Sequence, residues 1–332
     1  MRSPDRPAAA PPGRRIPWDR TVRSAVAITT ALLGAHALAG AAGVPVALAG
    51  AVCSVNGDHS GPVRERAVRF AAILAGGSAG LLLGRTAPTP GWGQVLCMTL
   101  AALAAAVVGF ARPADQLFGL KLMVLTAIGT GMGTGLTAGR TVALYGLGCA
   151  PMGLLLVLAL TRRRGRPGGG AAPGVPRVGG CGPARRDAVL RLPLCVGAAA
   201  VLAESLRPEH AFWLPLTAAL AFRPADASVL RRVGGRVAGT VLGVLAAAAA
   251  AHTLSGWTAV LLAVLVGAVF PGATDRSYVL HTALASVVVL VLAVPGPPSD
   301  GTVITARLVD TLLACGIAVA VGHPWRRRPA AH

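Results

Sequence analysis

The residues of this chain that could do chemistry are the ionisable groups lying inside long apolar runs. Asp310 sits about two turns into the run that begins near residue 303, and Arg307 stands three residues earlier on the same helical face. A charged group in such a run is expensive to bury and is by default a functional hypothesis. Two readings stand for the pair: a structural ion pair, or a carboxyl group that takes up and releases a proton beside its arginine. Glu204, near the outer end of its run, reads as a proton carrier or as an interfacial group. His36 and His281 read as proton relays or as hydrogen-bonded structural histidines.

A second set surrounds a short apolar stretch. Phe212 to Phe222 would rise only about 16 Å as a helix, half of the roughly 30 Å hydrocarbon core. It carries Trp213, Pro215 and Thr217, and is followed by Arg223 and Asp226 in a basic turn, then by Arg236 and Thr240. A comparable short stretch, 44–55, leads into Asn56, Asp58 and His59. Short or interrupted segments at matching places in two halves point to a transporter's central site, because broken helices expose backbone groups that can hold a charged solute. The alternative is a tilted short helix with Trp213 anchored at the membrane interface. Arg223, Arg231, Arg232 and Arg236, with Arg64, Arg66 and Arg69, would form two basic rims. They would draw in anionic substrates or meet anionic headgroups, and Arg236 is expected to point inward.

Other chemistries are not supported. Gly129–Gly135 superficially resembles a phosphate loop, but it has no following Lys-Ser/Thr and no preceding strand, so a closely packed helix is expected. The cysteines Cys53, Cys97, Cys149, Cys181, Cys195 and Cys315 form no C-x-x-C pair and read as small buried apolar residues. Neither a nucleophile nor a metal cluster nor a cofactor site is visible, so the chain does not read as an enzyme. The 332 residues are 54% hydrophobic and 13% charged, too apolar for a soluble domain. The formal charge of +19 therefore points to a bilayer rather than to nucleic acid.

The elements that would hold these groups are apolar segments near 22–42, 44–55, 67–84, 94–111, 117–138 and 141–161, then 188–206, 211–222, 233–253, 257–271, 278–294 and 303–323. This predicts an all-α polytopic membrane protein with about twelve transmembrane helices in two halves, 21–161 and 187–325. Residues 1–20 are rich in Pro and Arg and are expected to be a disordered cytoplasmic N-terminus leading into an uncleaved first helix. Residues 162–186, full of Gly, Pro and Arg, read as a cytoplasmic linker, and 326–332 as a basic cytoplasmic tail. A shift of 167 residues lays Arg64 on Arg231 and Arg69 on Arg236, and Ala72, Gly76 and Gly80 on Gly239, Gly243 and Ala247. With Gly235, Gly239 and Gly243 this makes a small-xxx-small face for close helix packing. Six spans per half would make the repeats parallel. With the N-terminus inside, 27 basic residues fall on the inner side and 4 (Arg85, Arg140, Arg207 and Arg307) on the outer, a strong positive-inside bias.

The residues from Trp213, WLPLTAAL followed by FRPADASVLRRVGGRVAGTVLG, and the closing ARLVDTLLACGIAVAVGHPWRRR from Ala306, resemble the fusaric-acid-resistance-like family of integral membrane transporters within the aromatic acid exporter group. The resemblance covers about residues 188–328. It implies a plasma-membrane efflux protein exporting small organic acids, aromatic or amphiphilic, by secondary-active transport. Alternatives are a passive anion channel, since plant aluminium-activated malate transporters are distant relatives, and a membrane scaffold without transport. The expected partners are the lipid bilayer, a small organic anion and, as an option, further copies of the chain in a homo-oligomer. Many members carry a sizeable soluble domain where this chain has only the linker 162–186.

Overall fold

The computed structural model describes residues 18–57, 62–87, 91–109, 113–131, 135–163, 183–206, 212–222, 229–253, 257–293 and 301–322. They form eleven α-helices and, among the described residues, no strand. In chain order these are α1 (Trp18–Gly57), α2 (Val63–Thr86), α3 (Trp92–Val108), α4 (Pro113–Gly131) and α5 (Ala138–Arg163). There follow α6 (Pro183–Leu206), α7 (Trp213–Ala221), α8 (Val229–Thr253), α9 (Trp257–Arg276), α10 (Tyr278–Ala293) and α11 (Gly301–Gly322). Asp58, His59, Arg223 and Asp226 lie outside the described residues, as do most of the N-terminal and linker stretches. Helix α6 takes in residues 183–186 of the expected linker, with Pro183 at its first position, where a missing N–H leaves no bond unmade.

Among the described residues, six helices are long and apolar enough to cross a membrane: the spans Arg20–Gly57, Val63–Thr86, Ala138–Ala159, Val189–Leu206, Val229–Ala250 and Thr305–Gly322. The shorter α3 shows why the others also suit a bilayer. Its Val95, Met98, Ala102 and Ala105 are buried, yet Leu96, Leu100, Leu103 and Val107 are exposed on its other side. A helix apolar all round belongs in a large core or in lipid. The chain is thus a multi-pass membrane protein.

Helix α1 is two helices. Gly40 has φ 60° and ψ −156°, a left-handed backbone that favours glycine. Before it, Arg140 reaches the Leu38 carbonyl and Leu147 lies by Gly34; after it, Leu144 lies by Gly43 and Gly148 by Ala47. Residues of α5 are therefore met in falling order before Gly40 and in rising order after it, so the chain doubles back there. The break stands two residues before the expected end of the first apolar segment.

Glycines set the closest helix contacts. On α2, a side-chain carbon on Gly76, Gly80 or Gly84 would strike the carbonyls of Phe118, Leu122 and Thr126 on α4. On α8, one on Gly239 would come within 2.5 Å of the Val279 carbonyl of α10, and one on Gly243 would strike the Ala283 carbonyl. Both pairs run parallel, because contacts advance together along the two helices. Helices α8 and α11 are antiparallel, since Val229 at the start of α8 packs on Gly322 at the end of α11. Between α9 and α10 stands only Ser277, whose hydroxyl accepts from the Leu280 N–H and caps the new helix.

The cores follow these contacts. Val46, Ile73, Leu81, Leu125 and Tyr145 fill the space among α1, α2, α4 and α5. Leu214, Ala218, Phe222, Ala314 and Ala318 join α7 to α11, with Cys195 from α6. Two further clusters tie the halves together: Ile28 and Met152 with Val266 and Val287, and Met98 and Met123 with Val196 and Leu216.

Candidate functional site

The most charged interior lies where α7, α8 and α11 meet. Arg236 of α8 and Arg307 and Asp310 of α11 are 6, 5 and 4% exposed, and Thr217 of α7 is fully buried. An Nη of Arg307 donates to Thr217 Oγ1 at 3.5 Å, and the guanidinium lies 4.1 Å from the centre of the Trp213 ring. A guanidinium over an indole face is attracted by the ring quadrupole, more strongly when desolvated. Arg307 also interacts electrostatically with both Asp310 and Arg236. Thr311 donates back to the Arg307 carbonyl at 2.8 Å, and Thr240, one turn beyond Arg236, is buried as well.

Local sequence explains each position. Helix α7 begins at Trp213, so Pro215 falls in its first turn, where backbone N–H groups have no helical partner. Pro215 therefore starts the helix instead of interrupting it, which corrects the expectation of a broken segment. The first bond of the helix is Leu216 N–H to the Phe212 carbonyl, 3.3 Å. Thr217 then stands one turn after Trp213, so the two present ring and hydroxyl to the same neighbour, Arg307. On α8 the glycine face turns to α10, while Arg236 reaches the charged groups of α11 and interacts electrostatically with Cys315.

Among the described residues, two buried arginines share this region of the apolar bundle with one buried aspartate. The Nε atoms of Arg236 and Arg307 are buried without a hydrogen-bond partner. Isolated charge in a low-dielectric interior is strongly unfavourable, so such a site is stabilised by an anion. Carboxylates suit it, because guanidinium groups bind them with directed, charge-assisted hydrogen bonds.

The fold thus brings together two sets of residues that stand far apart in sequence: Trp213, Thr217, Arg236 and Thr240 with Arg307 and Asp310. Arg307, counted above with the outer charges, is instead inside the bundle. The remaining candidates are elsewhere. Glu204 ends α6 with Oε2 buried and without a hydrogen-bond partner. His281 packs on the Phe270 ring at 4.5 Å and on Tyr278 at 6.4 Å, and Arg232 covers Tyr278 at 4.6 Å. His36 lies on the exposed side of α1. Asn56, near the end of α1, has Oδ1 buried and without a partner. Gly129 and Gly131 end α4: Gly129 lies on the Leu81 carbonyl of α2 and Gly131 on the Phe212 ring. Sequence reasoning missed Thr282 and Tyr278 on α10, whose hydroxyls are buried without a partner. The glycine face of α8 was a signal for them, since α10 is what it packs on.

Residues 198–321 match the fusaric acid resistance protein-like family. No curated protein and no solved structure matches the chain. The fusaric acid resistance protein-like region contains Trp213, Thr217, Arg236, Thr240, Arg307 and Asp310, the whole buried cluster. It stops short of α1 to α5, which pack beside it.

Proposed function

We propose that the chain is a plasma-membrane transporter exporting small organic acids, aromatic or amphiphilic, by secondary-active transport. The observation that carries this is the buried Arg236–Arg307 pair beside a single Asp310, positive charge that needs an anion deep in an apolar bundle. Asp310 is the carboxyl group in place to exchange a proton during the cycle. The architecture proposed with it is twelve crossings in two parallel six-helix repeats. Supporting it are the reversal of α1 at Gly40, the glycine seams of α2 on α4 and α8 on α10, and the reciprocal packing of α3 on α6 and α9 on α1. The positive-inside bias supports cytoplasmic termini. The bilayer and an organic anion are its partners, and neither cofactor nor catalysis enters the reading.

The test is flux. In liposomes, an imposed proton gradient should drive movement of aromatic carboxylates such as benzoate. Arg236→Gln should cut it by about tenfold to a hundredfold, the loss of one charge-assisted contact, while the protein still folds. A passive anion channel is favoured by the same arginines, which would line a pore equally well. Single-channel currents insensitive to the proton gradient would replace the exporter by that channel. No flux of any organic anion would leave a scaffold. A reporter active only outside the cell, fused at residue 175, should be silent; strong activity there would reverse the orientation.

A further inference from the structure

We infer that Phe222 is the gate at the cytoplasmic end of the anion site: its ring closes the seam of α7, α8 and α11, and a solute reaches Arg236 when the ring leaves Gly322. This rests on the transport reading above and adds to it the residue that admits the solute.

An anion held by Arg236 or Arg307 must pass an enclosing side chain, because both arginines are buried. The cluster has two ends. At one, the Trp213 ring lies 4.1 Å from the Arg307 guanidinium and 4.4 Å from the Phe212 ring, so this end is held by the site's own charge. At the other, the Phe222 ring and the Val229 side chain meet over Gly322, 3.5 and 3.3 Å from where a side-chain carbon would stand there. That end is held by apolar contact. Val229 starts α8 and Gly322 ends α11, so both lie at the end that the proposed orientation puts in the cytoplasm. Arg236 is seven residues along α8 from Val229, and Cys315 seven residues back along α11 from Gly322, so both stand about 10 Å above the plug. The two interact electrostatically, in keeping with that equal depth. Between the plug and that level, α7 and α11 contribute the buried Ala218, Ala221 and Ala318. Among the described residues of this cluster, the large buried ones are Leu214, at the Trp213 end of α7, and Phe222.

The backbone suits a moving ring. Phe222 is the first residue past α7, extended at φ −87° and ψ 116°, and its N–H still donates to the Ala218 carbonyl at 2.9 Å. Turning about its χ1 moves the ring from one staggered position to another and breaks no hydrogen bond. The ring rests on a glycine, so no side-chain carbon of α11 interlocks with it there. Opening and closing one end of a fixed site is what alternating access requires.

The experiment uses Cys315 as a reporter behind the gate. The full chain in sealed inside-out vesicles is treated at its cytoplasmic face with a small, membrane-impermeant anionic methanethiosulfonate, and labelling is read cysteine by cysteine by mass spectrometry. Wild-type Cys315, 3% exposed, should label slowly. Phe222→Ala should label it about tenfold faster or more, while Cys149, buried in α5, keeps its wild-type rate. An unchanged Cys315 rate in a folded Phe222→Ala protein overturns the inference and leaves the transport reading in place. If Cys149 speeds up as well, the variant has loosened throughout, and Gly322→Ala decides. Its added methyl group wedges the ring and Val229, and should slow benzoate uptake into the same vesicles several-fold at wild-type yield; unchanged uptake overturns the inference. A wild type that moves no organic anion sinks the transport reading and the gate with it, and that flux tells this failure from failure of the gate alone.

Discussion

Residues 18–163 and 183–322 use the same contacts for different ends. In each, a glycine-lined helix lies on a parallel neighbour, α2 on α4 and α8 on α10. In each, a short segment, the part of α1 after Gly40 or α7, lies against the last helix, α5 or α11. The difference is in what fills that last contact. In the first half Gly50 rests on the backbone of Tyr145 and Gly148 on that of Ala47, so helix meets helix without a side chain between. Tyr145 is fully buried, but its hydroxyl donates to the Ile73 carbonyl at 3.0 Å, and Cys149 Sγ donates to the Gly50 carbonyl at 3.3 Å. The shift of 167 residues that aligns the glycine faces brings Gly50 onto Thr217. There the second half has a hydroxyl and, facing it, Arg307. At this contact the first half has helix backbone against helix backbone, with Tyr145 and Cys149 donating to carbonyls; the second has buried arginines at the matching place. Shared packing makes the scaffold, and charge marks the half in which an anion would be held.

The shared part breaks first. Gly239→Leu and Gly80→Leu each drive a side chain into a backbone carbonyl of the parallel neighbour, which cannot move without separating the helices. Overpacking against backbone costs upwards of about 3 kcal/mol, so both variants should fail to accumulate as folded protein. Yield and thermal unfolding in detergent measure this. A wild-type Gly80→Leu beside a collapsed Gly239→Leu would mean that the two seams are not equivalent.

The charged part breaks next. Arg307→Gln leaves Asp310 buried beside a neutral partner and uncovers the Trp213 face. It should lose about 3 kcal/mol, the usual loss when one partner of a buried pair is removed. Asp310→Asn added to it should restore much of that stability. Proton-driven flux should stay low in the double variant, because the carboxyl group proposed to exchange a proton is gone. Recovery of both stability and flux would reduce the pair to a structural ion pair with no part in transport.

How much of this could be read without coordinates follows from what periodicity encodes. The apolar stretches located the helices, and the four-residue glycine spacing located the close seams, because both are properties of one helix at a time. Arg236 stands out in sequence for its place near the glycines, and Asp310 for its apolar surroundings. That Trp213 and Thr217 meet Arg307 across some ninety residues was not legible, since a single sequence records which face is apolar but not which helix covers it. Arg307 was miscounted as an outer charge for the same reason: distance along the chain from a helix end does not distinguish a side chain snorkelling to the interface from one turned onto an indole. Pro215 misled because its effect depends on which residue starts the helix.

The smallest expected effect tests the quiet half. Tyr145→Phe removes one hydroxyl from α5 and leaves the ring in place. The Ile73 carbonyl loses a donor, but it lies within α2, where a helical N–H can still reach it. The net loss should be about 1 kcal/mol, the contribution of an ordinary neutral hydrogen bond. Because Tyr145 stands apart from the cluster of Arg236, Arg307 and Asp310, organic-anion flux per folded molecule should equal wild type. The useful measurement is both quantities on one preparation, thermal unfolding in detergent and flux in liposomes. A modest drop in stability with full flux keeps the first half as scaffold. A stable Tyr145→Phe protein with flux down tenfold would place the pathway between α1, α2 and α5 as well, and the contrast between the halves would then be one of substrate handling instead of scaffold against site.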